Sequence, residues 1–314
     1  MSTTGTTGFL PEGWPRSTVR SGRRVLLMAL AIGACNKDAA APHLAAQGTA
    51  APPVTPSDAA TAAVPAHHAY PDLGAALLAT IPADARVLGF GELHTRTDRA
   101  PVTSSLAHFT RALPALADRL SDLVLETWLV DPSCGKTAVQ ATTKVETTMK
   151  RPEETKSEIA QLADAARAAH IQPHAMTLTC TDYAAITPDH GEVDPVAILT
   201  LTTRELTRIA TSAVLHRDKE PNHRPWIAVY GGALHNDRFP DRTVAEWSYA
   251  AAIDRATGDH FVEIDVIVPE LAEADPAMHE QPWFPLARAT RDPHNPIIVW
   301  KRGERSFVVL LPPS

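Results

Sequence analysis

Arg86-Val87-Leu88-Gly89-Phe90-Gly91-Glu92-Leu93-His94 decides how this chain is read. Its apolar core stops at a glycine, which reads as a strand buried on both faces and ending in a sharp turn. Downstream, Leu106, Phe109, Leu113, Leu116 and Leu120 recur at helical spacing, with Pro114 inside the pattern. Asp122-Leu123-Val124-Leu125-Glu126 then reads as a second buried strand. Strand, helix and strand over this length make a βαβ unit with parallel strands. Further on, Trp226-Ile227-Ala228-Val229-Tyr230-Gly231-Gly232-Ala233-Leu234-His235 repeats the first theme: apolar strand, glycine, Gly-x-x-His.

Other segments fill in the class. Ile171–Met176, Phe261–Val268, Ile297–Trp300 and Ser306–Leu311 read as strands. Residues 159–169 and 198–215 read as helices. Residues 131–157, polar and rich in Thr and Lys without a clear period, read as an excursion over the top of the sheet, and residues 181–194 as loop. The expectation is an α/β single domain with a parallel-rich central sheet flanked by helices. Ligands of such sheets bind at the carboxyl ends of the strands. Glu92, His94, Glu126 and His235 are all expected on that edge.

Two imidazoles with one or two carboxylates suit a divalent metal ion with positions left for water, whose pKa the metal lowers. Without metal, the same His and Glu activate water as general bases. Neither a Gly-x-Ser-x-Gly elbow nor a complete phosphate-binding glycine loop is present; Val130 stands where the loop before Gly135-Lys136-Thr137 needs glycine. Asp189-His190-Gly191-Glu192 with Asp194 lacks calcium-loop spacing and reads as a solvated acidic loop. Arg96 and Asp98 read as a surface pair.

The N-terminus carries an export pattern. Arg16, Arg20, Arg23 and Arg24 precede the apolar Val25–Ile32, which ends in Ile32-Gly33-Ala34-Cys35, a sequence that resembles a bacterial lipobox. The expected organisation is a signal peptide over residues 1–34, a lipidated Cys35 opening an Ala-, Pro- and Thr-rich tether to residue 70, and a folded domain over 71–314. Such a chain is anchored in the cell envelope, with Asn36 pointing to the outer membrane, and meets the membrane through its lipid alone. The formal charge of −7 leaves no basic surplus for phosphates, so nucleic acid is not an expected partner. In an oxidising compartment the two other cysteines, Cys134 and Cys180, are expected to form a disulfide.

Gly-Glu-Leu-His at 91–94, Gly-Ala-Leu-His at 232–235 and Val-Leu-Glu at 124–126 together resemble the superfamily that joins erythromycin esterases, ChaN-like haem-uptake lipoproteins and the Tiki/TraB proteins. The resemblance spans Val87 to His235 through three short motifs, and the lipobox leans towards the ChaN-like branch. It implies a parallel-rich α/β core and a site made of Glu92, His94, Glu126 and His235. It also implies one of several activities: metal-dependent peptide hydrolysis as in Tiki-type members, ester hydrolysis, or haem binding with His94 and His235 as candidate ligands. The expected function is therefore a metal-dependent or His/Glu-assisted hydrolase of an ester or peptide bond in a small-molecule or peptide substrate. The alternatives are a non-catalytic haem-binding lipoprotein for iron uptake and an envelope structural protein with a decayed site.

Overall fold

A computed structural model of the chain describes residues 27–29, 65–188, 191–220, 223–289 and 296–314. Cys35, most of the signal and tether, and Asp189-His190 lie outside these residues. The domain is a mixed, mostly parallel sheet flanked by helices, as the sequence predicts. In chain order the elements are strands β1 (Leu27–Ala29) and β2 (His68–Tyr70), helix α1 (Leu73–Thr80), β3 (Val87–Glu92), α2 (Ser105–Leu116), β4 (Leu120–Leu129), α3 (Gly135–Met149), α4 (Glu154–Ala168), β5 (Gln172–Met176), α5 (Cys180–Ile186), α6 (Pro195–Arg217), β6 (Trp226–Gly232), α7 (Ala233–Asn236), α8 (Ala250–Thr257), β7 (Phe261–Ile267), α9 (Pro269–Glu273), α10 (Phe284–Ala289), β8 (Ile297–Gly303) and β9 (Ser306–Leu310).

Five central strands run parallel in the order β5-β4-β6-β3-β7, followed by β9, which is parallel to β7. β8 is antiparallel to β9, and β2 closes that edge antiparallel to β8. The three residues of β1, from the expected export segment, lie antiparallel to the outer end of β4. β3 and β4 are parallel, as the βαβ reading requires, but β6 stands between them. That placement decides the function of the sheet edge. Gly91 registers against Gly231 and Glu92 against Gly232, so the two Gly-x-x-His turns leave adjacent strands side by side.

Each face of the sheet is sealed by apolar side chains. Leu88, Phe90, Leu123, Leu125, Ala228, Tyr230, Val262 and Ile264 pack under α2 and α4. Val87, Val124, Ile227, Val229 and Phe261 pack under α6 and α8. Burial on both faces explains why these strands read as continuous apolar runs. Ser104 caps α2 by accepting a hydrogen bond from Ala107 N at 2.9 Å, and the helix buries Leu106, Phe109, Leu113 and Leu116. Leu120, which fits the same stripe, instead opens β4.

Residues 131–157 differ from the sequence expectation. They are not an irregular excursion but α3 and the start of α4, joined by a short turn and packed on opposite faces of the sheet, α3 with α5 and α4 with α2. Small side chains hide the period: α3 buries Ala138, Ala141, Thr142 and Val145 and exposes Thr and Lys. Residues 180–186 likewise form a helix rather than a loop, because Thr179 and Asp182 make a reciprocal capping box. The expected disulfide is formed: Cys134 and Cys180, with Cα atoms 5.1 Å apart, join the foot of α3 to the start of α5. Asp194 is a helix cap, accepting from Val196 N and Ala197 N at the start of α6. Among the described residues no helix is long and apolar enough to cross a membrane.

Candidate active site

The parallel strands deliver their residues to one edge. Glu92 ends β3, and His94 follows two residues later. Glu126 sits in an irregularity of β4, where the register to β5 jumps between Leu125 and Trp128 and pairing to β6 stops at Leu125. A bulge of this kind re-aims a side chain at the end of a sheet. His235 lies in the short α7 directly after β6. All four expected residues are buried: Glu92 6%, His94 7%, Glu126 5% and His235 1% exposed.

Their hydrogen bonds assign their roles. Glu92 Oε1 lies 2.7 Å from His94 Nδ1, and Tyr230 Oη donates to Glu92 Oε2 at 2.6 Å. Both oxygens of Glu92 are thus committed to holding neighbours in place. Burial alone raises the pKa of Glu92. The His94 hydrogen bond, the Arg151 charge and the Tyr230 hydroxyl outweigh it, leaving the carboxyl below its ordinary value and ionised. Burial, then the nearby Arg151 cation, pushes His94 down to about 4, so its imidazole is neutral at pH 7. With Nδ1–H donated to Glu92, the lone pair of Nε2 is open.

His235 is fixed in the same sense by different partners. Its Nδ1 lies 2.8 Å from the Trp247 carbonyl and 3.0 Å from Thr203 Oγ1, which itself donates to that carbonyl at 2.7 Å. A proton on Nδ1 satisfies this geometry and leaves the Nε2 lone pair free. Burial holds His235 down to about 4 as well.

Glu126 is the opposite case. Gly232 N donates to its Oε2 at 2.6 Å, but burial dominates and pushes the carboxyl up to about 8, so it is protonated at neutral pH. Its Oε1 stands 3.9 Å from His235 Nε2. That exceeds a direct hydrogen bond and leaves room for a small displacement or a bridging atom. Gly231 and Gly232 make this packing feasible. A Cβ on Gly231 would overlap the Glu126 carboxyl, and one on Gly232 would stand 2.7 Å from His94 Nε2.

Three polar atoms therefore remain buried without any hydrogen-bond partner: His94 Nε2, Glu126 Oε1 and His235 Nε2. Each such atom costs roughly 1–3 kcal/mol. Three on one sheet edge form a polar cluster that stability alone does not favour. A small cavity opens on His94, Glu92 and Glu126 between apolar walls from Leu106, Leu125 and Ile159. His235 is not among its lining residues and stands beside Glu126.

Arg151 is the residue that sequence reading missed. The turn between α3 and α4 carries it inward, its side chain only 8% exposed. Its Nη2 lies 2.6 Å from His94 Nδ1 and 3.6 Å from Glu92 Oε1. Tyr230, Thr203 and Trp247 were also missed as supports. Tyr230 was legible in principle, since it lies on the same strand face as Gly232. Arg96 and Asp98 pair through two hydrogen bonds of 2.9 Å at the surface, as expected. Among the described residues no three His, Cys, Asp or Glu side chains are arranged to hold a metal ion.

No protein-family model, no curated protein and no solved structure matches this chain.

Proposed function

We propose that this chain is a hydrolase of small esters or peptide-like amides, with His94 as general base and Glu126 as general acid. The carrying observation is the set of three buried, unpartnered atoms, His94 Nε2, Glu126 Oε1 and His235 Nε2, at the carboxyl edge of the parallel strands. Environments that push two titratable groups apart supply a base and an acid at one pH. His94, held down to about 4, offers a neutral Nε2; Glu126, pushed up to about 8, keeps its proton.

In the proposed reaction, His94 Nε2 takes a proton from water as the water oxygen attacks the carbonyl carbon. Glu92 holds the ring through Nδ1 and stabilises the imidazolium that forms. Collapse of the tetrahedral intermediate breaks the C–O or C–N bond, and Glu126 gives its proton to the leaving oxygen or nitrogen. Proton return from the imidazolium through solvent restores Glu126. His235 Nε2 faces Glu126 Oε1 at 3.9 Å, and a small displacement would let it accept and orient the acid proton.

A divalent metal is a second reading. Free Nε2 atoms on two histidines whose Nδ1 atoms are held by a carboxylate and a carbonyl are what a metal site needs. His94, His235 and Glu126 would hold the ion, and it would supply an acidified water. The side chains as placed do not form a three-ligand group, and the Arg151 cation beside His94 opposes a second cation. The acid–base pair is therefore the better supported. Haem ligation fits less well, because both imidazoles are buried and present no open face to a flat macrocycle. We place the protein at the outer membrane, lipidated at Cys35, on the lipobox alone.

The test is hydrolysis of 4-nitrophenyl esters and short peptides by metal-stripped protein. Wild type is expected to turn over, and His94→Asn to lose about 10²–10⁴-fold in kcat/KM. Equal rates in wild type and His94→Asn would reject the reading, and a Soret band on haem addition would favour the haem alternative.

A further inference from the structure

The tip formed by the turn between α3 and α4 delivers one side chain. Lys150 adopts a left-handed conformation, φ 51°, which residues with a Cβ rarely adopt. Thr97 N donates to Lys150 O at 2.8 Å, and Lys150 Nζ pairs with Asp98 at 3.0 Å, so the tip is tied to the loop after β3. Next to that turn, Arg151 is buried with its Nε–H unpartnered. Nη1 reaches only the Thr95 carbonyl, at 3.5 Å.

The contact with His94 is frustrated. His94 Nδ1 has either a proton or a lone pair. It donates to Glu92 Oε1 at 2.7 Å or accepts from Arg151 Nη2 at 2.6 Å, and one excludes the other. The guanidinium, with five donors, is thus held beside the base without a satisfactory set of acceptors. It also lines two cavities. One is the inner cavity with its apolar walls. The other is an outer pocket shared with Glu146, Pro152, Glu153 and Lys156, in which Lys156 is paired with Glu146 at 2.5 Å.

We propose that Arg151 is the substrate-recognition residue, and that the substrate carries an anionic group, a carboxylate or a phosphate, near the bond that is cleaved. The anion takes the guanidinium in a forked pair, draws it off His94 Nδ1, and leaves Nδ1–H to Glu92 alone. Recognition and alignment of the base are then one event. The activity part of this inference rests on the hydrolase reading; anion binding does not.

The experiment has a binding arm and a rate arm on the same protein. Calorimetry with succinate, inorganic phosphate and neutral succinamide is expected to show binding of at least one anion and none of the amide. The arms for succinate and phosphate tell carboxylate from phosphate recognition. Arg151→Gln should weaken anion binding at least 10-fold and Arg151→Lys by less. In ¹⁵N spectra, the anion should shift His94 towards the Nδ1–H form. In the rate arm, kcat/KM for 4-nitrophenyl hemisuccinate should exceed that for 4-nitrophenyl butyrate at least 10-fold, with the ratio falling towards one in Arg151→Gln. Should that variant not fold, Arg151→Lys and the wild-type comparison of charged and neutral ligands still decide. Arg151-dependent anion binding without hydrolysis of either ester rejects the hydrolase reading and keeps the anion site. Hydrolysis of both esters at equal kcat/KM, with no anion bound, overturns this inference and leaves the hydrolase standing.

Discussion

Gly232→Ala isolates the packing on which the site depends. Gly232 has φ −70° and ψ 141°, a conformation open to alanine, so the substitution carries no backbone strain. Its Cβ would stand 2.7 Å from His94 Nε2, against an ordinary contact of about 3.4 Å, so the ring must move by several tenths of an ångström. The ring cannot move freely, because Nδ1 is held 2.7 Å from Glu92 Oε1. Losing the charge-assisted bond to Glu92 costs about 1.5–3 kcal/mol. For a domain of this size, at about 2 °C per kcal/mol, that lowers Tm by roughly 3–6 °C. A misplacement near 1 Å at the reacting group costs about 10²-fold in kcat/KM. Denaturant unfolding and ester hydrolysis should be measured on Gly232→Ala, His94→Ala and the double variant. His94→Ala removes the clash, so Gly232→Ala should be nearly neutral in that background, with a coupling of about 2 kcal/mol. A loss under about 0.5 kcal/mol for Gly232→Ala in wild type, with full activity, would refute the placement of His94 Nε2 against Gly232.

Replacing Cys134 and Cys180 together by Ser opens a crosslink between residues 46 positions apart and should destabilise the domain by about 4 kcal/mol, read from urea midpoints. Stability should rise from pH 4 to 6.5, because the buried His94 and His235, each near 4 when folded, bind fewer protons than the unfolded chain. Between the ordinary carboxyl range and pH 8 Glu126 acts in reverse: it keeps a proton that the unfolded chain has released, so its contribution falls as pH rises, and Glu126→Gln should flatten that fall. The same groups give kcat/KM a bell-shaped pH profile with limbs near 4 and 8, and Glu126→Gln should remove the alkaline limb along with most of the rate. Tyr230→Phe removes the hydroxyl that donates to Glu92 Oε2 and should cost about 1.5–3 kcal/mol, measured by thermal unfolding.

Much of this edge was legible because burial on both faces leaves an unbroken signature. β3, β4 and β6 each show an apolar run, whereas β7 is interrupted by Glu263 and Asp265. The glycines that end β3 and β6 mark where backbone and side chains crowd together. Order in the sheet was not legible: nothing in the runs says that β6 enters between β3 and β4, yet that insertion brings Glu92 beside Gly232. Arg151 was invisible for a different reason. The helix before it hides its period behind alanine and threonine, and one arginine in a Lys- and Thr-rich stretch looks like surface. The local signal was Lys150-Arg151-Pro152, where proline breaks the helical run and the residue before it must turn. The division of labour between the carboxylates also needed coordinates. Glu92 and Glu126 are alike in sequence, but one is surrounded by donors and the other has a single backbone N–H.

The central claim is that His94 serves as the base and Glu126 as the acid. Single-turnover hydrolysis of a 4-nitrophenyl ester by metal-stripped protein, followed from pH 4 to 9 in wild type, His94→Asn and Glu126→Gln, tests it most directly. The account predicts activity that survives metal removal, a bell with limbs near 4 and 8, a collapse in His94→Asn and a lost alkaline limb in Glu126→Gln. Activity that vanishes on metal removal and returns with a divalent ion, or an unchanged pH profile in both variants, would contradict it.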